Sequence, residues 1–177
     1  MITFARRVFG AAMLDRRVYE DVEADVRSTG QAVAVVVLAS VAGGIGLLGL
    51  GAQTPQSLAT GIVGSLVGWL AWAALTYLLG THLLPEPQTR ADVGELLRTI
   101  AFASAPGLLR VLAVIPVLGL AIYAIASAWM LLAMIVAVRQ ALDYRSTARA
   151  VVVCVVGWAL SLAVAAVIGN IFAPTVF

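Results

Sequence analysis

Few residues in this chain are equipped for chemistry, and most of those are arginines. Arg110 stands in the apolar stretch RTIAFASAPGLLRVLAVIPVLG, residues 98–119, four positions after Pro106. A guanidinium there supplies a permanent charge and five donors, which suits holding an anion rather than moving a proton. Arg139 and Asp143 are spaced i and i+4, so a helix would pair them or present them to a partner. His82 and Glu86 have the same spacing, but Pro85 should end the helix between them and spoil the pairing. Cys154, the only cysteine, lies in an apolar run and is expected to be a small packing residue. One cysteine and one histidine exclude a disulfide framework and a His/Cys metal cluster within one chain. No acid pair or Ser/His set falls at a common depth, so neither a catalytic residue nor a cofactor is expected.

The elements that position these residues follow from composition. The chain is 62% hydrophobic and only 11% charged, with mean hydropathy +1.04. Soluble domains carry about 25% charged residues. No charged residue falls between Arg27 and Glu86, and since a span needs about 20 apolar residues, that stretch holds two spans and a turn. Apolar helices are predicted over residues 31–51, 58–84, 98–116, 117–138 and 151–172. The fold expected is all-α: a polytopic membrane helix bundle of five transmembrane helices. Its third helix is short and kinked near residues 103–106 by Pro106. The net charge of +2 is modest and falls in short clusters, which argues against nucleic acid as a partner.

Residues 1–30 read as a cytoplasmic or interfacial segment ahead of a membrane domain over 31–177. In it Leu14, Val18, Val22 and Val26 recur every four positions among Arg16, Arg17, Glu20, Asp21, Glu23 and Asp25. That pattern predicts an amphipathic helix on the membrane surface. ARRVF loosely echoes a twin-arginine export signal, but the apolar run after it is short, is closed by DRR and has no A-x-A site. Thr89 with Asp92 fits a capping pattern, and Val93, Leu96, Leu97 and Ile100 follow at interfacial-helix spacing. Gly61, Gly64, Gly68 and Ala71 form a small-residue seam on the second span; Gly157, Ser161, Ala165 and Gly169 form another on the fifth. Such seams mark close helix packing. Trp69 and Trp72 are expected to be packing or lipid-facing residues.

Arginine placement sets the topology. With five spans and the N-terminus inside, ten of the eleven basic residues face the cytoplasm, as the positive-inside rule asks. A re-entrant hairpin over residues 98–119 would turn the cluster Arg139, Arg145 and Arg149 outward, so that stretch is expected to span. Two readings of Arg110 remain open. It lies about 9 Å from the Pro116 end at about 1.5 Å per residue, within reach of the outer interface by snorkelling. Alternatively it faces the bundle interior and binds an anionic head group, partner or substrate.

The segment GELLRTIAFASAPGLLRVLAVIPVLG, then SAWMLLAMIVAVRQAL and a final span starting STARA, resembles the Yip-domain membrane proteins, roughly over residues 31–172. The resemblance implies a five-span fold with a cytoplasmic N-terminus. In eukaryotes it is linked to vesicle trafficking and prenylated Rab-type GTPases, and it supplies no catalytic residues to carry over. The expected function is therefore non-enzymatic: organising membrane, or binding a partner protein, through the helix bundle. The alternative is a transporter, channel or lipid-moving protein that uses the kinked third helix and Arg110. The partners expected are the lipid bilayer and another membrane protein or a second copy. All basic residues being arginine hints at a bacterial source and hence a bacterial inner membrane, with the C-terminus outside.

Overall fold

The computed structural model describes the backbone of residues 3–51, 55–89 and 92–172, with side chains left undescribed at 55–57, 60, 161–162 and 164–172. Every regular element among them is helical: α1 (Phe4–Ala12), α2 (Arg16–Ala24), α3 (Thr29–Gly49), α4 (Pro55–Leu78), α5 (Val93–Phe102), α6 (Gly119–Ala141) and α7 (Thr147–Phe172). Four stretches of described residues are long and apolar enough to cross a membrane: Val26–Gly49, Gly61–Leu83, Val93–Val114 and Gly119–Ala141. The first part of α7, Thr147–Leu160, is a shorter apolar stretch.

The third of these stretches is the centre of the bundle, with 61% of its apolar window buried against 22% for Gly61–Leu83. It is not one kinked α-helix. The α-helix stops at Phe102, and Ala105–Val114 winds as a 3-10 helix with Pro106 in its first turn. Proline disfavours α geometry in the residue before it and has no N–H to continue the ladder. A 3-10 helix rises about 2.0 Å per residue, so these residues reach further than an α-helix of the same length would.

Glycines of α3 admit this segment. Gly43, Gly46 and Gly49 share one face. A Cβ on Gly46 would collide with the Arg110 carbonyl oxygen and stand 3.2 Å from its carbonyl carbon. One on Gly49 would collide with the Ala113 carbonyl oxygen and stand 2.6 Å from Val114 Cα. Both neighbours are backbone, so the two chains meet at the distance that missing side chains allow.

The N-terminal segment departs from the single amphipathic helix expected. It forms two helices that turn at Leu14, whose φ is 59°, and the Asp15 side chain caps the second by accepting from the Arg17 N–H at 3.0 Å. Of the four periodic residues, Val18 and Val22 are buried, while Leu14 lies in the turn and Val26 is exposed. The two helices are fastened to each other and to the bundle. Tyr19 donates to the Ala11 carbonyl at 2.8 Å, and Trp129 Nε1 to the Ala12 carbonyl at 2.8 Å. Buried Arg7 pairs with Asp21 at 2.8 Å and Asp25 at 2.7 Å, and donates to Gln31 Oε1 at 3.1 Å.

The capping pattern also shifts. Asp92, not Thr89, is the N-cap of α5: its side chain accepts from Gly94 N–H at 2.7 Å and Glu95 N–H at 3.3 Å, and the Glu95 carboxylate accepts from the Asp92 N–H at 3.4 Å. Thr89 instead accepts from the Glu86 N–H at 2.9 Å. Of the α4 seam, Gly61 packs on Leu47, but a Cβ on Gly64 or Gly68 would meet nothing within 4 Å among the described residues. In the α7 seam Gly157 sits against Thr76 and Trp72; Ser161, Ala165 and Gly169 lie outside the described side chains.

Candidate functional site

The arginine-rich face is tied together by its connections. After α4 the chain makes a π turn, Leu79–Leu83. The Tyr144 hydroxyl, from the α6–α7 connection, lies 2.9 Å from the Gly80 carbonyl and 2.8 Å from the Leu84 carbonyl. Glu86 accepts from the Arg145 N–H at 3.1 Å and stands 3.6 Å from Arg149 Nε. The Arg145 N–H, just ahead of α7, holds the Glu86 carboxyl below the usual carboxylate range. Gln88 donates to Glu86 and, at 3.1 Å, to the Asp143 carbonyl. The connections after α4 and after α6 therefore lie on one face. α2 joins them there, because Arg98 Nε donates to the Val22 carbonyl at 3.2 Å and Nη2 to the Glu23 carbonyl at 2.6 Å. A cation at the end of α2 also suits its dipole.

Arg139 and Asp143 do not pair. Asp143 has φ 53°, which takes it out of the helix and off the i, i+4 row. Arg139 instead donates from Nε to the Tyr144 carbonyl and from Nη2 to the Arg145 carbonyl, both at 3.2 Å. The two residues still line one polar cavity of about 220 Å³, together with Arg16, Gln140 and Tyr144. Near this face, half-buried Glu23 is pushed up to about 7 by burial, and further by the carboxylates of Asp143, Glu95 and Glu20, against the opposing charge of Arg98.

His82 Nδ1 stands 2.7 Å from Thr81 Oγ1, and its ring meets Tyr77 edge-on with centroids 6.2 Å apart. Cys154 is buried and free, its carbonyl accepting from Trp72 Nε1 at 3.4 Å. Among the described residues no group of three or more His, Cys, Asp or Glu could hold a metal ion. An apolar groove of about 280 Å³ runs between α3, α4 and α5, from Thr29 and Arg98 to Leu66 and Trp69.

Arg110 lies on the 3-10 segment with its guanidinium turned into the bundle. The carbon Cζ is 5.1 Å from the centroid of the Tyr123 ring of α6, within cation–π range. Its Nε is buried with no hydrogen-bond partner. Nη1 faces Gly43 of α3, and the Ser65 hydroxyl of α4 faces the same glycine. Four elements thus converge on one cation. Pro106, four residues earlier, is buried at the start of the same segment.

Sequence reasoning singled out Arg110 but not Tyr123, Gly43 or Ser65, because nothing in an apolar run says which neighbouring helix a side chain will meet. It also missed the Arg7 cluster. Asp21 and Asp25, one turn apart, were the available signal.

A helical bundle with membrane-length apolar helices, and with its described charged residues other than Arg110 on the N-terminal helices and the two connections, defines a polytopic membrane protein. The Yip1 domain matches over residues 13–168, and the chain belongs to that family. No curated protein and no solved structure matches the chain.

Proposed function

We propose that this protein is a non-enzymatic component of a bacterial inner membrane that binds a partner membrane protein, or a second copy of itself, through the outer face of α4. The observation that carries the reading is the exposed seam at Gly64 and Gly68. The two glycines stand one turn apart, a Cβ on either would meet nothing within 4 Å among the described residues, and Val63, Val67 and Leu70 around them are exposed. Lipid chains gain little from such a notch, whereas a second helix gains close backbone approach. Arg139 and Asp143 offer a further contact point at the polar cavity.

In this reading the chain crosses the bilayer five times, with α7 as the fifth span, the N-terminus cytoplasmic and the C-terminus outside. The arrangement is supported by the shared face of the N-terminal helices and the two connections, to which nine of the ten described arginines belong. Reporter fusions after Ser57, Gln88, Gly119, Ser146 and Phe177 should read out, in, out, in and out; a cytoplasmic signal at Phe177 removes the fifth span. For the α4 surface, Gly64→Leu with Gly68→Leu should abolish crosslinking to the partner or second copy. Protein level and the melting temperature in detergent should stay at wild type, because a Cβ at either position meets no described residue. Asp143→Asn should weaken the same recovery. Unchanged crosslinking in the double leucine variant refutes the α4 surface.

A further inference from the structure

We propose that Arg110 holds a phosphate-type oxyanion inside the bundle, in the gap that Gly43 leaves between its guanidinium and the Ser65 hydroxyl. The argument begins with a charge that the chain itself does not neutralise. All nine acidic residues lie at positions 15–25, 86–95 and 143, on the arginine-rich face, while Arg110 lies most of a helical span beyond Glu95. Among the described residues none pairs with it or accepts a hydrogen bond from it. Deprotonation offers no escape, because a guanidinium stays charged under any ordinary condition. An intramembrane cation of this kind is stabilised by a partner or marks a functional site, so the counter-charge comes from outside the chain.

Geometry names the chemistry of that partner. The Tyr123 ring takes the guanidinium at 5.1 Å, and the remaining donors include a buried, unsatisfied Nε. A Cβ on Gly43 would stand 3.7 Å from Arg110 Nη1, 3.9 Å from Arg110 Cδ and 3.6 Å from Ser65 Oγ. Glycine therefore keeps a space open where Nη1, one arm of the guanidinium's planar fork, and a hydroxyl both arrive. A tetrahedral oxyanion answers such a set, taking two parallel bonds from the fork and a third from the hydroxyl. A phospholipid phosphate and a free phosphate share this chemistry. The inference does not rest on the α4 surface, which is argued from Gly64 and Gly68 and not from Ser65.

The Gly43 position supplies a clean test. The contacts that alanine would make there are ordinary van der Waals distances, so Gly43→Ala should fold, keep the charge of Arg110 and fill the space. Full-length protein in detergent is titrated with dioleoyl phosphatidylglycerol, with dioleoylglycerol, which has the same chains and no phosphate, and with inorganic phosphate. Bound lipid is read by native mass spectrometry, and inorganic phosphate by its shift of the melting temperature. Wild type should retain phosphatidylglycerol at least tenfold over dioleoylglycerol, or be stabilised by inorganic phosphate, and the response should vanish in both Arg110→Gln and Gly43→Ala. A response to the lipid alone assigns a head group, and one to phosphate alone a soluble anion; either upholds the site. Equal retention of both lipids with no phosphate shift, or a response that survives in either variant, overturns it. If Arg110→Gln does not fold, Gly43→Ala decides.

Discussion

The contact between α3 and the 3-10 segment predicts an asymmetric response to adding one methyl group. At Gly49 that methyl would collide with the Ala113 carbonyl oxygen and lie 2.6 Å from Val114 Cα. Ordinary contact needs roughly 3.5–4.0 Å between carbons, so the gap is short by about 1 Å. Both obstacles are backbone, and no rotamer change can relieve them; the 3-10 segment must move. Overpacking of this kind costs about 1–3 kcal/mol, partly offset by the gain of up to about 1 kcal/mol for replacing glycine in a helix. At Gly30, in the first turn of the same helix, an added Cβ meets nothing within 4 Å among the described residues, so alanine there should only gain. Gly49→Ala should therefore fall about 1–2 kcal/mol below wild type and Gly30→Ala should match or exceed it. At about 2–4 °C per kcal/mol for a chain of this size, the two variants should melt several degrees apart in detergent. Equal melting temperatures for Gly49→Ala and wild type would refute the close approach.

The remaining predictions concern the arginine-rich face. Glu23 titrates near 7 in the folded protein against 4.5 unperturbed, so the folded state holds a proton that the unfolded chain releases, and stability should fall as pH rises from about 5 to 7. With the carboxylate half open to water, the loss is about 1 kcal/mol. Glu23→Gln should flatten that part of the melting profile between pH 5 and 8, and an unchanged slope would contradict the burial of Glu23 and its crowding by Asp143, Glu95 and Glu20. Asp92→Ala removes both acceptor bonds of the α5 cap and should cost about 1 kcal/mol, read as a lowered melting temperature that Asp92→Asn largely restores.

The helices were legible because apolar run length is a one-dimensional property: the ends of α3, α4, α6 and α7 fall within a few residues of where the runs break. What was not legible depends on neighbours. Pro106 announces a disturbance, but whether the chain kinks or rewinds as 3-10 depends on the glycine face of α3 that receives it. The seam spacing of Gly61, Gly64 and Gly68 promises packing without naming the partner, and among the described residues Gly61 alone of the three finds one. Arg139 and Asp143 have pairing distance on an ideal helix. One left-handed residue at Asp143 breaks that row and sends the arginine to backbone carbonyls. In the candidate site Arg110 stood out as a charge in apolar sequence, whereas Tyr123 and Ser65 resemble any other span residues.

Position 46 joins these threads. A side chain there would press on the Arg110 carbonyl oxygen and come within 3.2 Å of Tyr123 Cδ2, so α3, the 3-10 segment and α6 meet at one glycine. Gly43, one turn earlier, faces the Arg110 guanidinium. The seam that admits the 3-10 backbone thus also sets where the cation sits relative to its aromatic partner. Packing and charge placement are coupled here: a change that pushes the segment off α3 moves Arg110 with it. Loss of anion response in Gly46→Ala would accordingly accompany loss of stability. Gly43→Ala, by contrast, should lose the response alone, and that separates a site from mere packing.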